Sequence, residues 1–273
     1  RPVAAERRRT PWVLSAPSAG TLHVVSGHSK WASIKHKKAA TDSKRGQLFT
    51  KLARAVQVAA REGGGDPAGN AALATAIEKA RAASMPKDNI ERAIAKGTGA
   101  GTDADSFESI VYEGYGPAGV AILVDALTDN RNRTSADIRA AFSRSGGNLG
   151  EPGSVAWLFE KKGEIVVDAQ RYSEDDLVPA IDAGADDINL DADVYEVVTS
   201  PEAFMAVKNA LEEAGVELES ADLAMRPTTR VQLDEQQFGT LMRLIDNLEE
   251  LDDVQAVHAN FDVDADVLER ATA

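Results

Sequence analysis

A glycine-rich break, Gly97-Thr98-Gly99-Ala100-Gly101, divides this chain into two stretches that differ in both hydrophobic period and charge. Before the break, apolar residues recur at helical spacing; after it, short runs of β type alternate with helical ones. Two such patterns cannot be laid down as one layered core, so separate domains are expected. The 273 residues leave room for two or three of them, and a hydrophobic content of 43% excludes disorder throughout.

The net charge of −14 conceals an asymmetry. Residues 26–101 carry 14 Lys/Arg against 6 Asp/Glu, whereas residues 102–273 carry 12 against 37. This distribution suits a polyanion-binding module on a body that repels polyanions; a basic helix that is simply solvated is the competing reading. The absence of cysteine excludes disulfides, thiolate metal sites and cysteine nucleophiles, and it suits a reducing compartment such as the cytoplasm. No apolar run reaches the roughly 18–20 residues that a bilayer span needs, so no membrane partner is expected.

Residues 1–25 contain Arg7-Arg8-Arg9 and then Trp12-Val13-Leu14, interrupted by Pro11 and Pro17. A secretory signal needs an unbroken apolar stretch of about 7–15 residues, which this segment lacks. The expectation is an extension upstream of the true start, with Val25 standing at a GTG start codon. The alternative is an Arg-rich mitochondrial leader, which would put the protein in the matrix.

From Lys30 to Arg54 there are eight Lys/Arg and one Asp. Leu48, Leu52, Ala55, Val56 and Ala59 share one helical face, while Lys51, Arg54 and Arg61 follow another, so one side can pack and the other can present cations. Gly63-Gly64-Gly65-Asp66-Pro67 ends the helix. A second helix is expected after Asn70 as N-cap, and a third from about Pro86 to Lys96, giving a helical domain over residues 26–102. The tight Ser84-Met85 connection admits a helix-turn-helix whose recognition helix would carry Lys87, Arg92 and Lys96, although any three-helix bundle contains some such pair. Trp31 can stack on an exposed base or anchor the arm to a core. His28 and His36 lack the partners of a structural zinc site, so phosphate contact or solvation is expected and no metal.

In the acidic part, Phe107–Tyr112, Val120–Ala126 and Val155–Phe159 read as strands, and Thr134–Arg144 as a helix opened by a Thr134/Asp137 capping box. Residues 165–225 give the β-α-β-β-α-β order of a ferredoxin-like unit. A strand at Val231–Leu233, a helix from Glu235 to Leu248 and a strand over Val254–Asp262 are then left over, and they complete the earlier β-β-α-β half. The expected fold class is therefore α+β and multidomain: an N-terminal three-helix domain followed by two ferredoxin-like α/β domains, one inserted in the other. The discontinuous one would take residues 103–160 and 229–273, and the insertion residues 161–228.

Enzyme signatures do not fit. Gly114-Tyr115-Gly116-Pro117-Ala118-Gly119 matches G-x-G-x-x-G, but a strand follows it, so a hairpin turn is expected and not a pyrophosphate site. Asp186-Asp187 and Asp252-Asp253 could attract a divalent ion, but solvated helix ends and turns are the expectation. No catalysis, cofactor or small-molecule substrate is expected. Asp129-Asn130-Arg131-Asn132-Arg133-Thr134 is the exception in this body, since two guanidinium groups at a helix start can grip phosphate; a capped helix whose arginines pair with acidic neighbours is the competing reading.

Seven stretches together resemble the YebC/PmpR family of probable transcriptional regulators, which includes the mitochondrial translational activator of cytochrome oxidase subunit I. They are Gly27–Ala32, Lys37–Ala40, Gly63–Pro67, Tyr112–Pro117, Asp129–Thr134, Gly146–Gly150 and Leu241–Asp246. The resemblance implies a helical N-terminal domain followed by two α/β domains, one inserted in the other. It also implies a non-enzymatic nucleic-acid-binding role: DNA-binding transcriptional regulation first, and ribosome-associated translation through ribosomal RNA as the alternative. The candidate contacts are His28, Lys30, Trp31, Lys35, His36, Lys37, Lys38, Lys44, Arg45, Lys51, Arg54, Arg131 and Arg133. The acidic domains are candidate surfaces for protein partners.

Overall fold

The computed structural model describes residues 42–99, 107–191 and 193–272. Three helices come first: α1 (Asp42–Gly63), α2 (Ala71–Ala82) and α3 (Lys87–Gly97). Their shared core is Val56, Ala60, Leu73, Ile77, Ala80, Met85, Ile90 and Ala93, with Phe49, Leu52 and Ala53 packed against it. Asn70 ties two of these helices together. Its Oδ1 accepts from the Leu73 N–H at 3.1 Å, while its amide donates to Ala59 O at 2.8 Å and Gly64 O at 2.9 Å. A Cβ on Gly97 would lie 2.3 Å from Gln57 O, so α1 and α3 approach as closely as they do only because that position is glycine. Pro86 is the N-cap of α3 and stands outside its first turn.

The first half of the outer α/β unit follows: β1 (Glu108–Tyr115), β2 (Ala121–Thr128), α4 (Arg131–Arg144) and β3 (Asn148–Leu149). The glycine string between β1 and β2 is a hairpin turn with a short 3-10 segment at Pro117–Gly119, and no helix N-terminus follows it. Two expectations are corrected here. Helix α4 starts three residues earlier than expected, because Asn130 and not Thr134 caps it, accepting from the Arg133 N–H at 3.1 Å. Val155–Phe159 is not a strand: Ala156–Leu158 form a 3-10 turn, held by the buried Glu113 carboxylate, which accepts from the N–H groups of Gly153, Val155 and Ala156.

The inserted unit runs β4 (Phe159–Asp168), α5 (Val178–Asp182), β5 (Ala185–Asp191), β6 (Val194–Thr199), α6 (Phe204–Glu213) and β7 (Leu218–Pro227). Its sheet order β5-β6-β4-β7 is that of a ferredoxin-like unit. The strand β4 begins two residues before the expected start of the insertion, since Phe159 already pairs with Pro227. Ile165, Val167, Leu177, Val197, Phe204, Val207 and Leu211 form the core.

The chain then returns to the outer unit with β8 (Val231–Leu233), α7 (Glu235–Glu249), β9 (Val254–Ala259), β10 (Phe261–Val263) and α8 (Ala265–Thr272). The sheet order is β3-β1-β2-β9, and β8 and β10 make a parallel ribbon. Val254–Asp262 is thus two strands and not one. Asn260 makes the break: its Oδ1 accepts from the Ala121 N–H at 2.7 Å, while its carbonyl accepts from the Val231 N–H at 2.8 Å. Helices α4 and α7 bury Ile138, Phe142, Phe238, Leu241 and Leu244 against Ile122 and Val124 of β2. Among the described residues, no helix is long and apolar enough to cross a membrane.

Candidate nucleic-acid interface

The expected contacts separate into three groups. His28, Lys30, Trp31, Lys35, His36, Lys37 and Lys38 lie outside the described residues. Lys44 and Arg45 fall in the first turn of α1, directly after that segment. Lys51, Arg54, Arg131 and Arg133 are placed in full.

The cations of the α1 stripe reach across to the acidic body. Lys51 Nζ donates to Glu249 O, and Arg54 Nη1 donates at 2.7 Å both to Asp252 O and to Asp253 Oδ1. One turn and more further on, Arg61 donates to Phe107 O. The physical reason lies at the C-terminal end of α7, whose last carbonyls have no intrahelical donors and carry the negative end of the helix dipole. Cations on a neighbouring helix satisfy both needs. Arg54 also lies over the Phe107 ring, 5.2 Å from its centroid. From α2, Lys79 pairs with Asp222 at 2.6 Å, and Glu78 pairs with Lys208.

Asp253 is the centre of this junction, and sequence reasoning passed over it as half of a solvated acidic pair. It is 6% exposed. Its Oδ1 takes Arg54, while Oδ2 accepts from Thr134 Oγ1 at 2.6 Å and from Arg133 Nη2 at 2.8 Å. Burial alone would raise its pKa; the hydrogen bonds from Thr134 and Arg133, with the charges of Arg133 and Arg54, outweigh that and hold the carboxyl below its ordinary value. The nearest of these partners is 119 residues away in sequence, so no local signal could have marked it.

Arg133 completes its pairing on Asp129 Oδ1 at 2.8 Å. The two arginines of the Asp129–Thr134 stretch therefore differ. Arg133 is braced between two carboxylates, whereas Arg131 is exposed and its backbone carbonyl accepts from the Tyr112 hydroxyl at 3.4 Å.

Known proteins align with this architecture domain by domain. Residues 29–100 match the family model described as the TACO1/YebC protein N-terminal domain, and residues 107–261 match the TACO1/YebC second and third domain. The chain belongs to the TACO1/YebC family. A relative from Rubrobacter xylanophilus, named "probable transcriptional regulatory protein", is 57% identical over 89% of this chain and 98% of its own length. A Geobacter sulfurreducens protein with the same description is 51% identical over 90% of this chain and 99% of its own. The crystal structure of a conserved hypothetical protein from Aquifex aeolicus superposes with a TM-score of 0.76 at 49% identity, covering 86% of this chain and 97% of that one. These matches show the family expected from the seven stretches, and with it the α+β fold of a helical domain and two α/β domains, one inserted in the other.

Proposed function

We propose that this protein is a cytoplasmic, non-enzymatic transcriptional regulator that binds DNA through its basic N-terminal module. The observation that carries the reading is the charge division of the chain, with 14 Lys/Arg against 6 Asp/Glu over residues 26–101 and the reverse excess beyond them. The names of the bacterial relatives support it. Phosphate contacts fall to the arm, chiefly Lys35, Lys37 and Lys38, continued by Lys44 and Arg45 into α1 and assisted by Arg131 on the body. Lys51, Arg54 and Arg133 act instead by fixing the helical domain to the body. The non-enzymatic reading is supported by the glycine string being a hairpin turn and by Asp253 being consumed in ion pairs.

Crosslinking in cells, followed by sequencing of the bound nucleic acid, tests the choice of target. Enrichment of discrete DNA segments is the expected result. Predominance of ribosomal RNA would overturn it in favour of a translational role, and recovery of protein partners alone would make the protein an adaptor working through its acidic domains.

A further inference from the structure

A second feature of the helical domain lies beside its junction with the body. Between α1 and α3 there is a cleft of about 540 Å³, lined also by Phe107 and Asp129 of the body and by Arg54, the residue that holds Asp253. That volume lies within the roughly 300–1,000 Å³ of small-ligand pockets, and a site between helices is a common place for one. Ala53 on α1 and Ala93 on α3 are among the residues that line it.

Its lining is of two kinds. Phe49, Ala53, Met85 and Ala93 are apolar, while Gln57 and Asn89 bring amides capable of pairing with a base edge. Arg92 and Lys96 add positive charge from α3. Arg92 is exposed, and its guanidinium is oriented from within its own helix, donating to Asp88 O at 3.2 Å and to Asn89 Oδ1. Apolar side chains, amides and cations in one cleft match the three parts of a nucleotide: the face of its base, the edge of its base, and its phosphate. Duplex nucleic acid keeps its bases stacked and cannot offer one to a cleft of this shape.

We propose that the α1–α3 cleft receives one unpaired nucleotide of the bound strand. This rests on the nucleic-acid reading given above and makes it more specific, since it assigns the helical domain a preference for a strand with at least one base free. The arm supplies affinity for any phosphate backbone, and the cleft supplies the discrimination between unpaired and paired strands.

The test uses the full chain and two fluorescent probes of equal length, a single-stranded oligonucleotide and a fully paired blunt-ended duplex, titrated by anisotropy. Ala53→Trp, which fills the cleft, and Arg92→Ala, on an exposed position that does not disturb the core, are compared with the wild type. The expected result is a loss of single-strand affinity of about tenfold or more for Ala53→Trp, a smaller loss for Arg92→Ala, and duplex affinity within about twofold of wild type for both. Equal losses on the two probes, or no loss on either, would overturn the proposal while leaving nucleic-acid binding intact. If the wild type binds neither probe in a salt-dependent way, the underlying reading fails and the cleft proposal with it. Should Ala53→Trp not fold, Arg92→Ala decides alone by the same criterion.

Discussion

Helices α1 and α3 are both amphipathic elements with cations outside the shared core, yet the two sets of cations go to different destinations. Those of α1 reach across a domain junction: Lys51 to Glu249 O, Arg54 to Asp252 and Asp253, Arg61 to Phe107 O. Those of α3 are held locally, Arg92 by Asp88 and Asn89, and Lys87 by Glu91 at 3.4 Å. The difference teaches that an excess of positive charge is a property of the sequence, while its availability to a ligand is decided by what the rest of the fold places opposite. On α1 that is the carbonyl end of α7 and a buried carboxylate; on α3 it is a cleft.

The comparison breaks first if Asp253 is not the anchor of the α1 side. Asp253→Asn removes the anion while leaving Arg54 and Arg133 in place, and should destabilise the docked arrangement by about 2–3 kcal/mol. The lower end of the range for broken buried pairs applies because both arginines retain access to water, with side chains 18% and 47% exposed. Urea unfolding followed separately in the helical and α/β domains is the measurement, and coincident transitions that do not shift would contradict the anchor.

Arg54→Ala and Arg92→Ala sharpen the same contrast. Arg54→Ala should cost about 1–2 kcal/mol of stability, the worth of a charge-assisted hydrogen bond partly open to solvent. Arg92→Ala should leave stability within about 0.5 kcal/mol of wild type and weaken single-strand binding. Thermal unfolding of both variants, together with anisotropy titration of Arg92→Ala, would show whether they differ as expected.

Acid titration gives the smallest effects but a clear sign. Asp253 sits below its ordinary pKa, so the stability it contributes is complete above the unfolded value of about 3.9 and is lost as pH falls through the folded one. Glu164 in the inserted domain is the opposite case: burial, then the charge of Glu196, push its carboxyl up. Its contribution is complete below the unfolded value of about 4.3 and is lost as pH rises through the folded one. Asp253→Asn should therefore flatten the acid limb of a stability-against-pH curve, and Glu164→Gln should flatten the decline on the other side.

What could be read most surely from the sequence was what nearby residues decide. Asn70 as an N-cap, the glycine stop after α1 and the hairpin at Gly114–Gly119 rest on partners a few residues away, whereas the order of the inserted unit was legible from the succession of its strand and helix patterns. The start of α4 was misplaced because Thr134 has the chemistry of a cap but spends its hydroxyl on Asp253. The turn at Ala156–Leu158 has the composition of a strand, and only the distant Glu113 carboxylate folds it back. The destination of the α1 cations was hidden for the same reason, since Arg54 and Asp253 are 199 residues apart.

The central claim is that the arm, and not the α1 stripe, meets the nucleic acid. It is tested most directly by the salt dependence of binding to one DNA probe, measured for the wild type, for Lys35, Lys37 and Lys38 changed together to Glu, and for Arg54→Ala. The account predicts that the triple change weakens binding and flattens the log–log slope by roughly 0.7–0.9 for each phosphate that is no longer neutralised, while Arg54→Ala leaves the slope as it was. An unchanged slope in the triple variant, or a flattened one in Arg54→Ala, would contradict it.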